Sequence, residues 1–127
     1  LAYMGTRFIN VNESMADKSY QKMIMDSKAE DIIYTAAVSG VHASFLRPSL
    51  EAMGITQELW KQTKKVDFGS ELDHAKEEAK AWKTIWSAGQ GVTSISDVKP
   101  TGELIRLLKG EFEKALLKQK DYHRYFF

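Results

Sequence analysis

The chain has 127 residues, of which 43% are hydrophobic and 28% charged, ordinary proportions for one globular domain with enough length to bury a core. Eighteen basic against seventeen acidic side chains leave a formal net charge of +1, which offers no electrostatic footprint for nucleic acid or an anionic membrane. With no Cys there are no disulfides and no Cys-ligated metal, and no apolar run approaches the ~20 residues that span a bilayer.

Leu1 to Phe8 (LAYMGTRF) reads as a short apolar strand that stops at the Gly5-Thr6 pair. Gly5 has no Cβ, so the backbone there can adopt unusual φ/ψ and lie close against a bound group. The amides of Gly5 and Thr6, with the Thr6 hydroxyl, would then point at an anion past the strand end. Arg7 adds a positive charge unless alternation along the strand turns it away. A plain strand-to-loop turn accounts for the same residues.

Asn10 to Ser14 has the composition of a loop, with Asn12 or Ser14 able to cap a helix. Tyr20, Met23 and Ile24 predict that helix between Met15 and Asp26, with Lys18, Gln21 and Lys22 on its other faces. Asp31 to Ser39 is rich in β-formers and reads as a strand before Gly40. Pro48 suits a first helical position, so a helix starts there and ends at Gly54; one continuous helix from Val41, kinked at Pro48, is the alternative.

Ile55 to Gly69 has little periodicity and reads as a surface connection. A helix capped at Ser70 follows, in which Leu72, Ala75, Ala79, Trp82 and Trp86 share one face and the two tryptophans are core anchors. Its charges are a solvated face. Ser87 to Gly91 ends it in a small-residue loop. Pro100 and Thr101 open a final helix with an apolar stripe of Leu104, Ile105, Leu108, Phe112, Ala115 and Leu116. The aromatic ending Tyr122 to Phe127 fits docking on the body or an unstructured tail.

Among groups that carry chemistry, Gln90 lies between Gly89 and Gly91 and can donate and accept hydrogen bonds at a ligand edge, or simply be solvated at a helix end. His42, His74 and His123 have no metal-ligand spacing among themselves, and no metal site is expected. His42 can serve as a proton donor or acceptor from the Gly40–His42 turn, with a structural role as the alternative. Asp67-Phe68-Gly69 spells a kinase motif without the loop, lysine and catalytic segment that accompany it.

MGTRF at the start, Tyr34 to Val41 (YTAAVSGV), Phe45 to Ser49 (FLRPS) and Trp86 to Val92 (WSAGQGV) occur in that order. Together they resemble the C-terminal part of the nitronate monooxygenase family, formerly called 2-nitropropane dioxygenases, from Leu1 to about Leu117. The resemblance implies an α/β fold: the C-terminal fragment of an FMN-binding TIM barrel, whose missing N-terminal part would hold seven strands. Residues 1–14 would be the last barrel strand and phosphate loop, 15–100 a mainly helical region over the flavin, and 101–127 a closing helix and tail. The family carries its MGT motif on strand eight, so Met4, Gly5 and Thr6 would hold the FMN phosphate and Gln90 would meet the flavin. Phosphate sites in such barrels commonly form from the loops after strands seven and eight. The implied activity is oxidation of alkyl nitronates with molecular oxygen in the cytoplasm. The family's catalytic His lies upstream of the MGT strand, and His42 does not inherit its role. NADH-driven reduction of a quinone or enoyl thioester on the same scaffold is one alternative; a noncatalytic helical interaction module is another.

Overall fold

The computed structural model describes residues 4–38, 40–61 and 83–126, with side chains described as far as Tyr122. The chain turns at Gly5 directly into a one-turn helix, α1 (Thr6–Ile9). The strand expected over Leu1–Phe8 therefore does not reach past Gly5, and Leu1, Ala2 and Tyr3 lie outside the described residues. Gly5 itself has φ −77° and ψ −59°, ordinary right-handed backbone, with its carbonyl accepting from Phe8 N at 3.0 Å. Unusual backbone angles do not explain this glycine.

Val11 then pairs in parallel with Lys99, with Asn12 N donating to Lys99 O at 2.9 Å. This bridge sets the start of the chain beside the segment that leads into the last helix. Helix α2 (Lys18–Asp26) is capped by Asp17, whose carboxylate accepts from Ser19 N at 2.8 Å, and not by Asn12 or Ser14. Ser14 instead accepts from Ala16 N, a local turn that uses up its capping capacity. Ile24 is fully buried as expected. Gln21, expected on an outer face, is buried: its amide nitrogen donates to the carbonyls of Ile9 (2.9 Å) and Val11 (3.1 Å), and its own backbone carbonyl accepts from Asn10 Nδ2 (3.0 Å). The irregular backbone after α1 needs those donors, since buried carbonyls go unpaired only at a cost.

After a 3₁₀ turn at Ala29–Asp31, strand β1 (Ile32–Thr35) pairs antiparallel with β2 (Ala43–Leu46) in the register Ile32↔Leu46 to Thr35↔Ala43. β1 stops four residues short of Ser39 because the Thr35 hydroxyl turns the chain, accepting from Ala37 N and donating to Trp60 O. Gly40, at φ 78°, supplies the left-handed turn between the strands. β2 overturns the continuous-helix alternative, since residues 43–46 are extended and paired. Helix α3 (Arg47–Ala52) has Pro48 in its first turn and ends in a left-handed Gly54 at φ 76°. Gly54 N and Ile55 N bond back to Glu51 O and Leu50 O, a Schellman ending that packs Ile55 on Leu50. Ile55 is therefore core and not surface connection, and a short α4 (Gln57–Trp60) follows it.

Two apolar clusters hold these elements. Val38, Phe45, Leu50, Ile55 and Ile85 form one, and Ile24, Leu46, Ala88, Val92 and Ile95 the other. β2 supplies Phe45 to the first and Leu46 to the second, by strand alternation. Lys83 and Thr84 are helical, but Trp86 is not, contrary to the helical spacing it shares with Trp82, which lies outside the described residues. The Trp86 backbone is used by its neighbours: its N donates to Ser49 Oγ (2.7 Å) and its O accepts from Leu46 N (2.9 Å), with Ser87 bridging Phe45 beside β2. The small-residue loop expected over Ser87–Gly91 is non-helical as far as Gly89 and then enters a 3₁₀ turn, Gln90–Ser94.

The last helix, α5 (Thr101–Phe126), runs for 26 residues. Pro100 O accepts from Glu103 N and Leu104 N, while the Glu13 carboxylate takes Thr101 N (2.9 Å) and the Thr101 hydroxyl (2.7 Å). Leu104 is buried and Leu108 half-buried, but the rest of the expected stripe is uncovered, with Ile105 53%, Phe112 63% and Leu116 42% exposed. Among the described residues no helix is long and apolar enough to cross a membrane.

Candidate active site

The two glycine-bearing motifs, 84 residues apart by the positions of Gly5 and Gly89, meet at one cleft of about 560 Å³. Met4, Gly5 and Thr6 line one side, Gly89, Gly91 and the 94–99 segment another, and Leu107, Leu108 and Glu111 of α5 close a third. The volume lies within the range of small-molecule sites. A hydrogen bond of 2.9 Å from Gly89 N to Thr6 Oγ1 ties the motifs together. The 88–91 stretch is fixed from its other end as well. Ala88 N bonds to Ser44 O of β2, and Tyr20 of α2 stacks on Trp86 with ring centroids 5.0 Å apart and donates to Ser87 O. Burial pushes the Tyr20 phenol up, so it stays a donor.

Arg7, expected to lend the anion a positive charge, lines the cleft but is committed to partners in the protein. Its guanidinium is ion-paired to the Asp97 carboxylate at 2.8 Å and also donates to the carbonyls of Asp97 (3.3 Å) and Asn10 (3.4 Å). A planar fork suits that three-way grip, which locks α1 to the 95–99 segment. Lys99 reaches the same carboxylate at 2.5 Å from the other side. Lys99 first, then Arg7, hold the Asp97 carboxyl below its ordinary range. The cleft therefore carries two cations and the carboxylates of Asp97 and Glu111, and Lys99 is its sequence-missed cation. Its signal was present: Asp97 and Lys99, two apart in an extended segment, project to one side.

The group implied by the resemblance is FMN, whose phosphate needs bare backbone and donors. A Cβ built on Gly5 or Gly91 meets nothing within 4 Å, and neither glycine has a positive φ. The chain's own packing thus requires glycine at neither position, whereas Gly40 and Gly54 are explained by their backbone. Open backbone facing a cleft is what a phosphate would use, and the amides at the start of α1 have no partner within the helix. The Thr6 hydroxyl accepts from Gly89 and keeps its proton to donate. The residues fit the group.

Of the residues singled out from sequence, Met4, Gly5 and Thr6 come together in the cleft. The Gln90 side chain is exposed and does not line it, although its glycine neighbours do. His42 is exposed and tilted against Tyr34 at 5.1 Å, on the hairpin turn, and is not among the residues lining the cleft. Among the described residues no cluster of His, Asp or Glu forms a metal site.

No known protein-family profile matches the chain, and no curated protein does. Solved structures do. FabK from Thermotoga maritima aligns with a TM-score of 0.65 at 22% identity, over 94% of this chain and 39% of that one. Its M276A mutant aligns at 0.64 and 25% identity, over 94% and 35%. The chain has the fold of part of a FabK TIM barrel. It spans well under half the length of either FabK chain.

Proposed function

We propose that the chain is the phosphate-holding part of an FMN-dependent oxidoreductase. The observation that carries this is the pair of bare glycines, Gly5 and Gly91, facing one cleft with no need of their own for glycine. The likeness to FabK over nearly the whole chain supports the same scaffold. When bound, FMN supplies hydride or electron transfer; the residues here hold its phosphate and set its position. Gly5 and Gly91 give backbone approach, Thr6 donates its hydroxyl proton, and Met4 covers the site beside them. Lys99, drawn partly from Asp97, balances the phosphate charge. Gln90 emerges from the same turn, and its exposed amide is proposed to meet the flavin edge and not the phosphate. The catalytic acid or base lies outside these residues.

Two reactions suit this scaffold, and each has its own support. The FabK likeness, which spans 94% of the chain, favours reduction of an enoyl thioester by NADH, and we place that first. The MGTRF and WSAGQG motifs favour nitronate oxidation with molecular oxygen. Steady-state assays of the full-length protein separate them: NADH consumption dependent on an enoyl thioester supports the first, and oxygen consumption dependent on a nitronate the second. A full-length protein that purifies colourless and takes up no FMN defeats both and leaves a noncatalytic interaction module.

A further inference from the structure

We infer that Thr6 is a positioning residue whose hydroxyl, by accepting the Gly89 amide, sets the distance between the Gly5 and Gly89–Gly91 backbones that flank the cofactor phosphate. The inference rests on the phosphate-site reading above. Thr6 lies at the first position of α1 and is half-buried, and the Gly89 N to Thr6 Oγ1 distance is 2.9 Å. A Cβ on Gly89 would stand at ordinary contact distance, 3.5 Å, from that same oxygen, so the Thr6 side chain lies directly against the Gly89 backbone. Both partners are held firmly from behind. Gln21 and Arg7 grip the carbonyls that follow α1, and β2 pairs with the backbone around Ser87 and Ala88. Between two anchored segments, one hydrogen bond fixes the width of the gap. A hydroxyl can accept from Gly89 and donate into the cleft at once, so the group that sets the gap also faces the ligand.

The methyl of threonine is not needed for this, but the oxygen is. Thr6→Val keeps the shape and loses the oxygen, Thr6→Ala loses both, and Thr6→Ser keeps the oxygen. In the full-length protein, hydrogen exchange at the Gly89 amide and dissociation constants for FMN and for riboflavin, which lacks the phosphate, are measured for all four forms. Thr6→Val and Thr6→Ala are expected to exchange Gly89 faster and to weaken FMN about tenfold, the scale of one lost charge-assisted bond. Riboflavin affinity stays as in wild type, and Thr6→Ser restores both readouts. Thr6→Ala guards against misfolding from a valine methyl set against the Gly89 amide. Wild-type FMN affinity in Thr6→Val and Thr6→Ala overturns the assignment, as does a Thr6→Ser variant that behaves like valine. Faster Gly89 exchange with FMN and riboflavin weakened equally overturns it too, because the gap would then not act on the phosphate. A wild-type protein that binds FMN no better than riboflavin instead defeats the phosphate-site reading, and the exchange data still report whether the hydrogen bond forms.

Discussion

Gly5 combines ordinary backbone angles with open space where a Cβ would stand, so Gly5→Ala asks about the ligand alone. Its melting temperature should stay near wild type, since exchanging glycine for alanine at a helix start costs less than about 1 kcal/mol. FMN affinity of the full-length protein should fall, further still in Gly5→Val. Arg7→Lys should do the reverse. A lysine cannot hold the Asp97 carboxylate and two carbonyls together, so stability drops while FMN affinity holds. Calorimetry with flavin fluorescence titration reads both; a destabilised Gly5→Ala that binds FMN normally would make the glycine structural. Asp97 supports a pH prediction. Its pKa is depressed by Lys99 and then Arg7, so its contribution is present above the unfolded aspartate value and is lost as pH falls through the lower folded value. Acid-side loss of stability below about pH 4 should be shallower in Asp97→Asn, by at most about 1 kcal/mol because the carboxylate is partly exposed. Identical pH–stability curves for the two proteins would remove Asp97 from the clamp.

At the scale of elements, side chains that bond to backbone decide what periodicity alone left open. Gln21 looks like an outer-face residue at its place in α2, and only the stray carbonyls of Ile9 and Val11 draw it inward. Gln21→Leu fills the space but strands both acceptors, and urea denaturation should show a loss of about 1–3 kcal/mol for each. Ser49 acts similarly, joining Thr84 O and Trp86 N from α3. Ser49→Ala should cost about 1–3 kcal/mol and disturb the Trp86 near-ultraviolet signal; no change in either would mean the bond contributes nothing. The helices α2, α3 and α5 were legible from apolar spacing, from Pro48 and Gly54, and from the Pro100–Thr101 start. The extended β2, the short α1 and the pairing of Trp86 were not, because each is fixed by partners distant in sequence: Ile32–Thr35, Asp97 and Ser49. At the site the glycine motifs were legible as motifs, and Met4, Gly5 and Thr6 do share a cleft. The pairing of Arg7 with Asp97 was hidden, since that ion pair depends on which distant segments the fold brings together, whereas Lys99 was legible from its spacing to Asp97.

At the scale of the whole molecule, the described residues form a two-stranded sheet, two modest apolar clusters and a long helix whose first turns bury Leu104. A two-stranded sheet has little stability of its own. Helix α5 shows the imbalance most plainly: Leu104 is fully buried, while Ile105, Phe112 and Leu117 are each more than half exposed on a helix patterned for burial. Most helical stability comes from covering such a face, and an uncovered face of this size invites association. The cleft is equally open, because α5 closes only one of its walls. The 127-residue chain made alone should therefore elute as oligomers and give no saturable FMN binding at micromolar concentration, whereas the full-length protein binds. The double substitution Phe112→Glu and Leu117→Lys should return the isolated chain towards a monomer without lowering its melting temperature, since both side chains already face solvent. Size-exclusion chromatography with light scattering, run beside an FMN titration, checks each part. A well-packed monomer of the unmodified chain that binds FMN at micromolar concentration would show that α5 needs no cover and that the cleft is complete as it stands.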